Sequence, residues 1–320
     1  MKGQGTSMAA TPGAVQRTVQ LSVRPDARPR RFPFGRIAAR VFMALAVLLT
    51  LFPFYWMLRT AFSNTRSLAS HSSSLLPADF TFGAFERVFG LATKADAIAE
   101  GGSGASVNFW LYLKSSLIVA TTTTVGQVFF CSLAAYAFAR LSWPGRDKLF
   151  FAFITALMVP PIFTMLPNFI LIKNLGLLNT YAGIVLPTLL MTPFSVFFLR
   201  QFFLGIPKEI EEAAMIDGAG RFRVFFTIII PMSSAPIATL SLLTYIAAWN
   251  DYFWPLLVGK AESVRVLTVA LGIFRSQTPQ GSPDWAGLMA ATLIAALPIL
   301  VLYAVIGRRI INSIGFTGIK

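Results

Sequence analysis

The stretch Ser115–Ala139, SSLIVATTTTVGQVFFCSLAAYAFA, carries no charge over its whole length. A helix needs about 20 predominantly apolar residues to cross the ~30 Å hydrocarbon core of a bilayer. The stretch also lacks the apolar–polar alternation of a barrel strand. Peptide groups in lipid have no water partner, so such a run must satisfy them internally, as a helix. Five more uncharged runs flank it: Val41–Leu58, Leu149–Ile172, Asn174–Leu199, Val224–Asn250 and Trp285–Gly307. The chain of 320 residues is 55% hydrophobic and 12% charged, against about 25% charged in soluble domains. The reading is an all-α membrane protein with six transmembrane helices, at about 38–60, 113–139, 149–172, 181–203, 226–257 and 285–307. Asn174 to about Tyr181 forms the turn between the third and fourth.

The net charge of +14 is distributed by loop. Arg24, Arg28, Arg30, Arg31, Arg36 and Arg40 precede the first span, and Arg140, Arg146 and Lys148 follow the second. Arg200, Lys208, Arg221 and Arg223 lie between the fourth and fifth, and Arg308, Arg309 and Lys320 follow the sixth. The alternate loops hold fewer cations for their length, mainly Arg66, Arg87, Lys94, Lys173, Lys260, Arg265 and Arg275. The positive-inside rule then places both termini in the cytoplasm. This alternation needs a membrane and not a nucleic acid, so no nucleic-acid partner is expected.

Residues 1–36 are rich in Arg, Pro, Gly, Ser and Thr and are expected to form a disordered basic tail. Residues 37–320 are expected to form the transmembrane domain. The longest outer connection, 63–108, contains a Gly-rich stretch at 101–104 and the signs of a short helix near Phe82–Phe89. Prolines recur inside the spans, at Pro53, Pro160, Pro161, Pro167, Pro187, Pro193, Pro231, Pro236, Pro255 and Pro298. Each removes a backbone donor and can bend its helix. Gly287, Ala291 and Ala295 repeat every four residues, the spacing of a close helix–helix face. Cys131 is the sole cysteine and His71 the sole histidine. No intrachain disulfide or thiolate metal cluster can form, and no nucleophile–base set or metal set is visible.

The connection between spans four and five reads as a surface helix. Pro207 suits a first helical position, Glu209, Glu211 and Glu212 favour the positive end of the helix dipole, and Gly218 suits a left-handed stop. Ile206, Ile210, Ala213 and Ala214 fall on one stripe. Span five ends in the polar pair Asn250 and Asp251, flanked by Trp249, Tyr252 and Trp254. Aromatic faces and a carboxylate suit a hydroxylated ring, and the same residues also suit an interfacial belt.

Glu212-Ala213-Ala214, then Gly218, then Ile228-Ile229-Ile230-Pro231, resembles the EAA signature of binding-protein-dependent ABC importer permeases. The chain departs from that pattern in having Ile230 where it carries leucine. Phe54-Tyr55-Trp56-Met57-Leu58, Ala134–Arg140 with Pro144-Gly145-Arg146, and Trp249–Leu256 are similar to the carbohydrate branch, the smaller permease of maltose-type systems. The resemblance covers about 37–320. It implies a type I ABC importer permease fold with a cytoplasmic coupling helix, in which Glu212, Ala213, Ala214, Met215, Asp217 and Gly218 meet an ATPase subunit. It implies a prokaryotic plasma (inner) membrane, a second homologous permease, two copies of a cytoplasmic ATPase subunit, an extracytoplasmic solute-binding protein and a sugar substrate. Trp249, Asn250, Asp251 and Tyr252 are the candidates for the substrate pathway. The chain holds no GxxxxGK[ST] phosphate loop, so ATP and Mg belong to the partner ATPase and the chain itself is no enzyme. A permease for a phosphorylated polyol is the alternative, favoured by cations in the cavity. A secondary transporter would need buried charges in several spans, and only Asp251 approaches that.

Overall fold

The computed structural model describes residues 34–71, 73–102, 108–276 and 283–314. The expected tail therefore lies outside the described residues except for its last three positions, as does the second half of the Gly-rich stretch 101–104. The chain divides into two units, 1–51 and 52–320. Helix α1, Phe34–Ala61, begins in the first. There Val41, Phe42, Leu48 and Leu49 are all exposed, an apolar helix with no polar face, as expected for a lipid solvent.

In the second unit the outer connection folds into three short helices. These are α2 (Thr65–Ser70), α3 (Gly83–Phe89) and α4 (Lys94–Ala99), of which the sequence pattern foresees only α3. Capping explains the others. Asn64 accepts the Arg66 N–H ahead of α2, and Thr93 with Asp96 forms a reciprocal capping box at α4. Helix α5 (Phe109–Arg140) follows unbroken. Next come α6 (Arg146–Thr155), α7 (Pro161–Asn174), α8 (Tyr181–Leu189) and α9 (Pro193–Leu204). The turn 175–180 carries left-handed Gly176 and Asn179. Helix α10 (Lys208–Ile216) leads to α11 (Arg221–Val224), a π-turn at Phe225–Ile229, α12 (Ile230–Met232) and α13 (Ser234–Asn250). The chain closes with α14 (Phe253–Val258), α15 (Leu267–Ser276) and α16 (Trp285–Ile314). Helix α15 lies in a segment read from the sequence as loop.

Among the described residues, three helices, α1, α5 and α16, are long and apolar enough to cross a membrane singly. The expected spans 149–172, 181–203 and 226–257 are each divided, with bends of 102°, 45° and 79°. The count reaches six when each bent pair is taken as one span. Prolines stand at or beside each division: Pro160 and Pro161 at the first, Pro193 at the second, and Pro231 just ahead of Ser233 at the third. Pro53, Pro167, Pro187 and Pro298 stay inside helices, so proline alone does not dictate a break. The expected fifth span also stops early, at Asn250, where Asp251 turns extended.

Helix α5 is the axle, packed by α8, α9 and α13. Gly126 makes this closeness available: a Cβ there would lie 2.2 Å from Leu189 Cδ1. One core joins α5 and α13 to α16 and α3, with Ala286, Ala290 and Ala291 fully buried; of the expected small-residue face, Gly287 and Ala291 are buried and Ala295 is half-buried against this core. The α16 start is fastened to the outer helices. Asp284, almost wholly buried, accepts from Arg87 Nε at 3.1 Å, Arg87 Nη2 at 3.2 Å, Thr65 Oγ1 at 3.1 Å and the Gly287 N–H at 2.8 Å. Arg87 also pairs with Glu100 at 2.5 Å.

Candidate functional site

Two places gather polar chemistry: helix α10 with its flanks, and a cavity among α5, α8, α9 and α13. Pro207 has extended ψ of 133° and stands one residue before α10, a position earlier than its predicted first turn. Gly218 has φ of 85°. Its N–H reaches Met215 O at 3.0 Å, and the Ala219 N–H reaches Ala214 O at 2.9 Å, the bonds of a left-handed helix stop.

Glu212, Ala213, Met215, Ile216 and Asp217 are exposed, and Ala214 is half-buried against the core of α5, α9 and α13. The predicted stripe is corrected. Ile206 and Ala214 pack inward, whereas Ile210 and Ala213 are exposed. The residue that fixes the inner side is Glu211. Its Oε1 lies 2.9 Å from Arg140 Nε, with the side chains 8% and 3% exposed. The two atoms are close but off the hydrogen-bond line, so the contact is a Coulombic one. Arg140 Nη2 donates to the carbonyls of Phe203 and Ile206, which lie at the end of α9, where carbonyls lose their intrahelical donors. One guanidinium therefore holds the end of α5, the end of α9 and the first turn of α10. Arg200 Nε adds a bond to Phe138 O at 3.2 Å. The sequence pattern treats Glu209, Glu211 and Glu212 alike. The distinguishing signal is the three-residue step from Glu211 to inward Ala214.

The cavity holds about 360 Å³ and is lined by Thr123, Gln127, Thr188, Thr192, Thr244 and Asp251, among others. Gln127 Nε2 donates to Thr192 Oγ1 at 2.9 Å and to Ser195 Oγ at 2.8 Å, and the two hydroxyls are 2.8 Å apart. The division between α8 and α9 forms part of the wall. There the Thr192 N–H points at Cys131 Sγ, 3.5 Å away. Non-helical backbone at membrane depth is tolerated where it lines a cavity or is covered by protein. Among the described residues, no lysine or arginine lines this space.

Of the four predicted pathway residues, Asp251 alone lines the cavity. Trp249 is buried and stacks on Tyr245 at 5.8 Å. Asn250 is exposed and returns its amide to Ile246 O at 2.9 Å. Tyr252 packs where a Cβ on Gly272 of α15 would stand. Thr123, Gln127, Thr188, Thr192, Ser195 and Thr244 are not among the sequence candidates. Their signal is faint: neutral polar residues within uncharged runs, with Gln127 the one amide of Ser115–Ala139. His71 is exposed in the outer connection, where its carbonyl accepts from Arg59 Nη2 at 2.7 Å.

Residues 127–314 match the family described as binding-protein-dependent transport system inner membrane component. The chain is 32% identical over 289 residues to the inner membrane ABC transporter permease protein YcjP of Escherichia coli, covering 89% of this chain and 97% of that protein. It is 30% identical over 292 residues to the diacetylchitobiose uptake system permease protein DasC of Streptomyces coelicolor, covering 91% and 99%. It is 32% identical over 280 residues to the sn-glycerol-3-phosphate transport system permease protein UgpE of Salmonella typhi, covering 87% and 95%. Its fold matches a chain in the crystal structure of a bacterial ABC transporter involved in alginate import, with a TM-score of 0.72 and 23% identity, over 86% of this chain and 95% of that one.

Proposed function

Because this chain belongs to the family of inner membrane components of binding-protein-dependent transport systems, the permeases of ABC importers, we propose that it passes a neutral carbohydrate through the cavity beside Gln127. As such a permease it is a membrane-embedded transport subunit and not an enzyme, and it works with an ATPase and a binding protein. The relatives divide between a sugar and a phosphorylated polyol by name. The observation that carries the sugar reading is the polar side of the lining: hydroxyls, one amide and the Asp251 carboxylate beside the apolar Phe194, Leu240 and Leu243, with no cation among the described residues. Such groups accept and donate to sugar hydroxyls. A phosphate would meet a like charge at Asp251 and no counter-charge, an arrangement that selects against it.

In this reading Glu212, Ala213, Ala214, Met215, Asp217 and Gly218 form the surface gripped by one of two ATPase copies, and a second homologous permease completes the pathway. Both termini lie in the cytoplasm. ATP binding closes the ATPases and draws α10 with them, which opens the cavity outward to the binding protein. The coupling is reciprocal, so loaded binding protein raises ATP hydrolysis. The test is uptake by the reconstituted complex of neutral disaccharides and of glycerol phosphate. Neutral sugar is expected to be preferred. Asp251→Asn is expected to lower its uptake about tenfold or more, the worth of a hydrogen bond to a charged group. Preferred uptake of the phosphorylated solute would overturn the carbohydrate reading.

A further inference from the structure

A second cavity, of about 330 Å³, opens between the last turns of α5 and the α11 segment. Leu133, Tyr136, Ala137 and Leu141 form one wall and Phe222 and Phe225 the other, and Arg221 is the one charged lining residue among the described residues. The floor is firm: Tyr136 and Phe225 are buried, with ring centroids 5.2 Å apart. The mouth is open. Phe222 is 75% exposed, and Phe226, one turn on, is also exposed. Phe129 and Phe130 continue an exposed apolar face along α5. Arg221 and Arg223 are exposed at the end of that face.

We propose that this crevice binds an anionic phospholipid, with part of an acyl chain in the slot and the headgroup phosphate on Arg221. Charge complementarity names the occupant. The slot offers water almost no polar partner, while each methylene buried there tightens binding about fourfold. Among the described residues, no carboxylate lines it to oppose a phosphate. Arg140, Arg146, Lys148, Arg200, Lys208, Arg221 and Arg223 belong to the loops that charge bias assigns to the cytoplasm, and basic pockets on that side hold acidic headgroups. The site is separate from the polar cavity and does not depend on which solute the permease carries.

The experiment uses the intact transporter in nanodiscs, with phosphatidylglycerol or phosphatidylcholine carrying a photoreactive acyl chain. Labelled peptides are then mapped. Phosphatidylglycerol is expected to label 133–141 and 221–226 more strongly than phosphatidylcholine. Arg221→Ala, at an exposed position, is expected to lower the phosphatidylglycerol signal about fivefold, the worth of one basic residue at an anionic surface. Ala137→Phe fills the slot and is expected to lower both signals. Equal labelling by the two lipids, or an unchanged signal in Arg221→Ala, would overturn the proposal. So would an absence of labelling in the assembled transporter, which would mean that another subunit covers the crevice.

Discussion

Glu211 and Glu212 are adjacent, chemically identical and expected to behave in opposite ways. Glu211 is buried against Arg140 at 2.9 Å, and Glu212 is exposed. Removing one partner of a buried ion pair costs about 3–5 kcal/mol. The Arg140 guanidinium keeps the carbonyls of Phe203 and Ile206, and the pair is poorly aligned, so Glu211→Ala belongs at the low end, about 3 kcal/mol. That loss falls on the anchorage of α10. Local opening should become about a hundredfold more frequent, read as faster hydrogen exchange across 211–217 in the intact complex. Arg140→Met costs more, because the Ile206 carbonyl loses this donor as well, which adds about 1–3 kcal/mol, whereas the Phe203 carbonyl keeps the Ile206 N–H. The double variant Arg140→Met with Glu211→Ala should cost less than the sum by about 2 kcal/mol. Glu212→Gln should stay within about 0.5 kcal/mol of wild type in stability while losing stimulated ATP hydrolysis. Single variants that add to within about 0.5 kcal/mol, with exchange in α10 unchanged, would refute the anchoring role of Glu211.

Two further outcomes follow from buried polar groups. Gln127→Leu strips the donor from Thr192 and Ser195, and the thermal midpoint of the complex should fall by an amount equivalent to about 1–3 kcal/mol; an unchanged midpoint would count against the network. Asp284→Ala leaves Arg87 without one carboxylate and Gly287 without its cap. It should destabilise by about 3 kcal/mol, and limited proteolysis should cut first in the outer connection around α3 and α4.

The helical membrane class was legible because charge-free length is a direct physical requirement of the bilayer. Ser115–Ala139 sits inside the single helix α5, and Trp285–Gly307 opens α16. The left-handed stop at Gly218 was legible because its cause is local. The divided spans were not, since Pro167 and Pro187 sit within helices while Pro160 and Pro193 mark breaks, and the residue type is the same in both cases. The same limit applied to the cavity. Trp249 and Asp251 are two residues apart, yet the backbone turns extended at Asp251 and sends them to different surroundings. Glu211 and Arg140 are far apart in the chain, so no local pattern could pair them.

The joint at Leu190–Thr192 has a mechanical consequence. A continuous helix must break peptide hydrogen bonds to bend, whereas here the strain-bearing bonds are already open, and a thiol and an amide side chain steady the gap. Thr192 lies in this joint and also lines the polar chamber, where Gln127 bonds it, so a solute that displaces Thr192 pulls on the joint between α8 and α9.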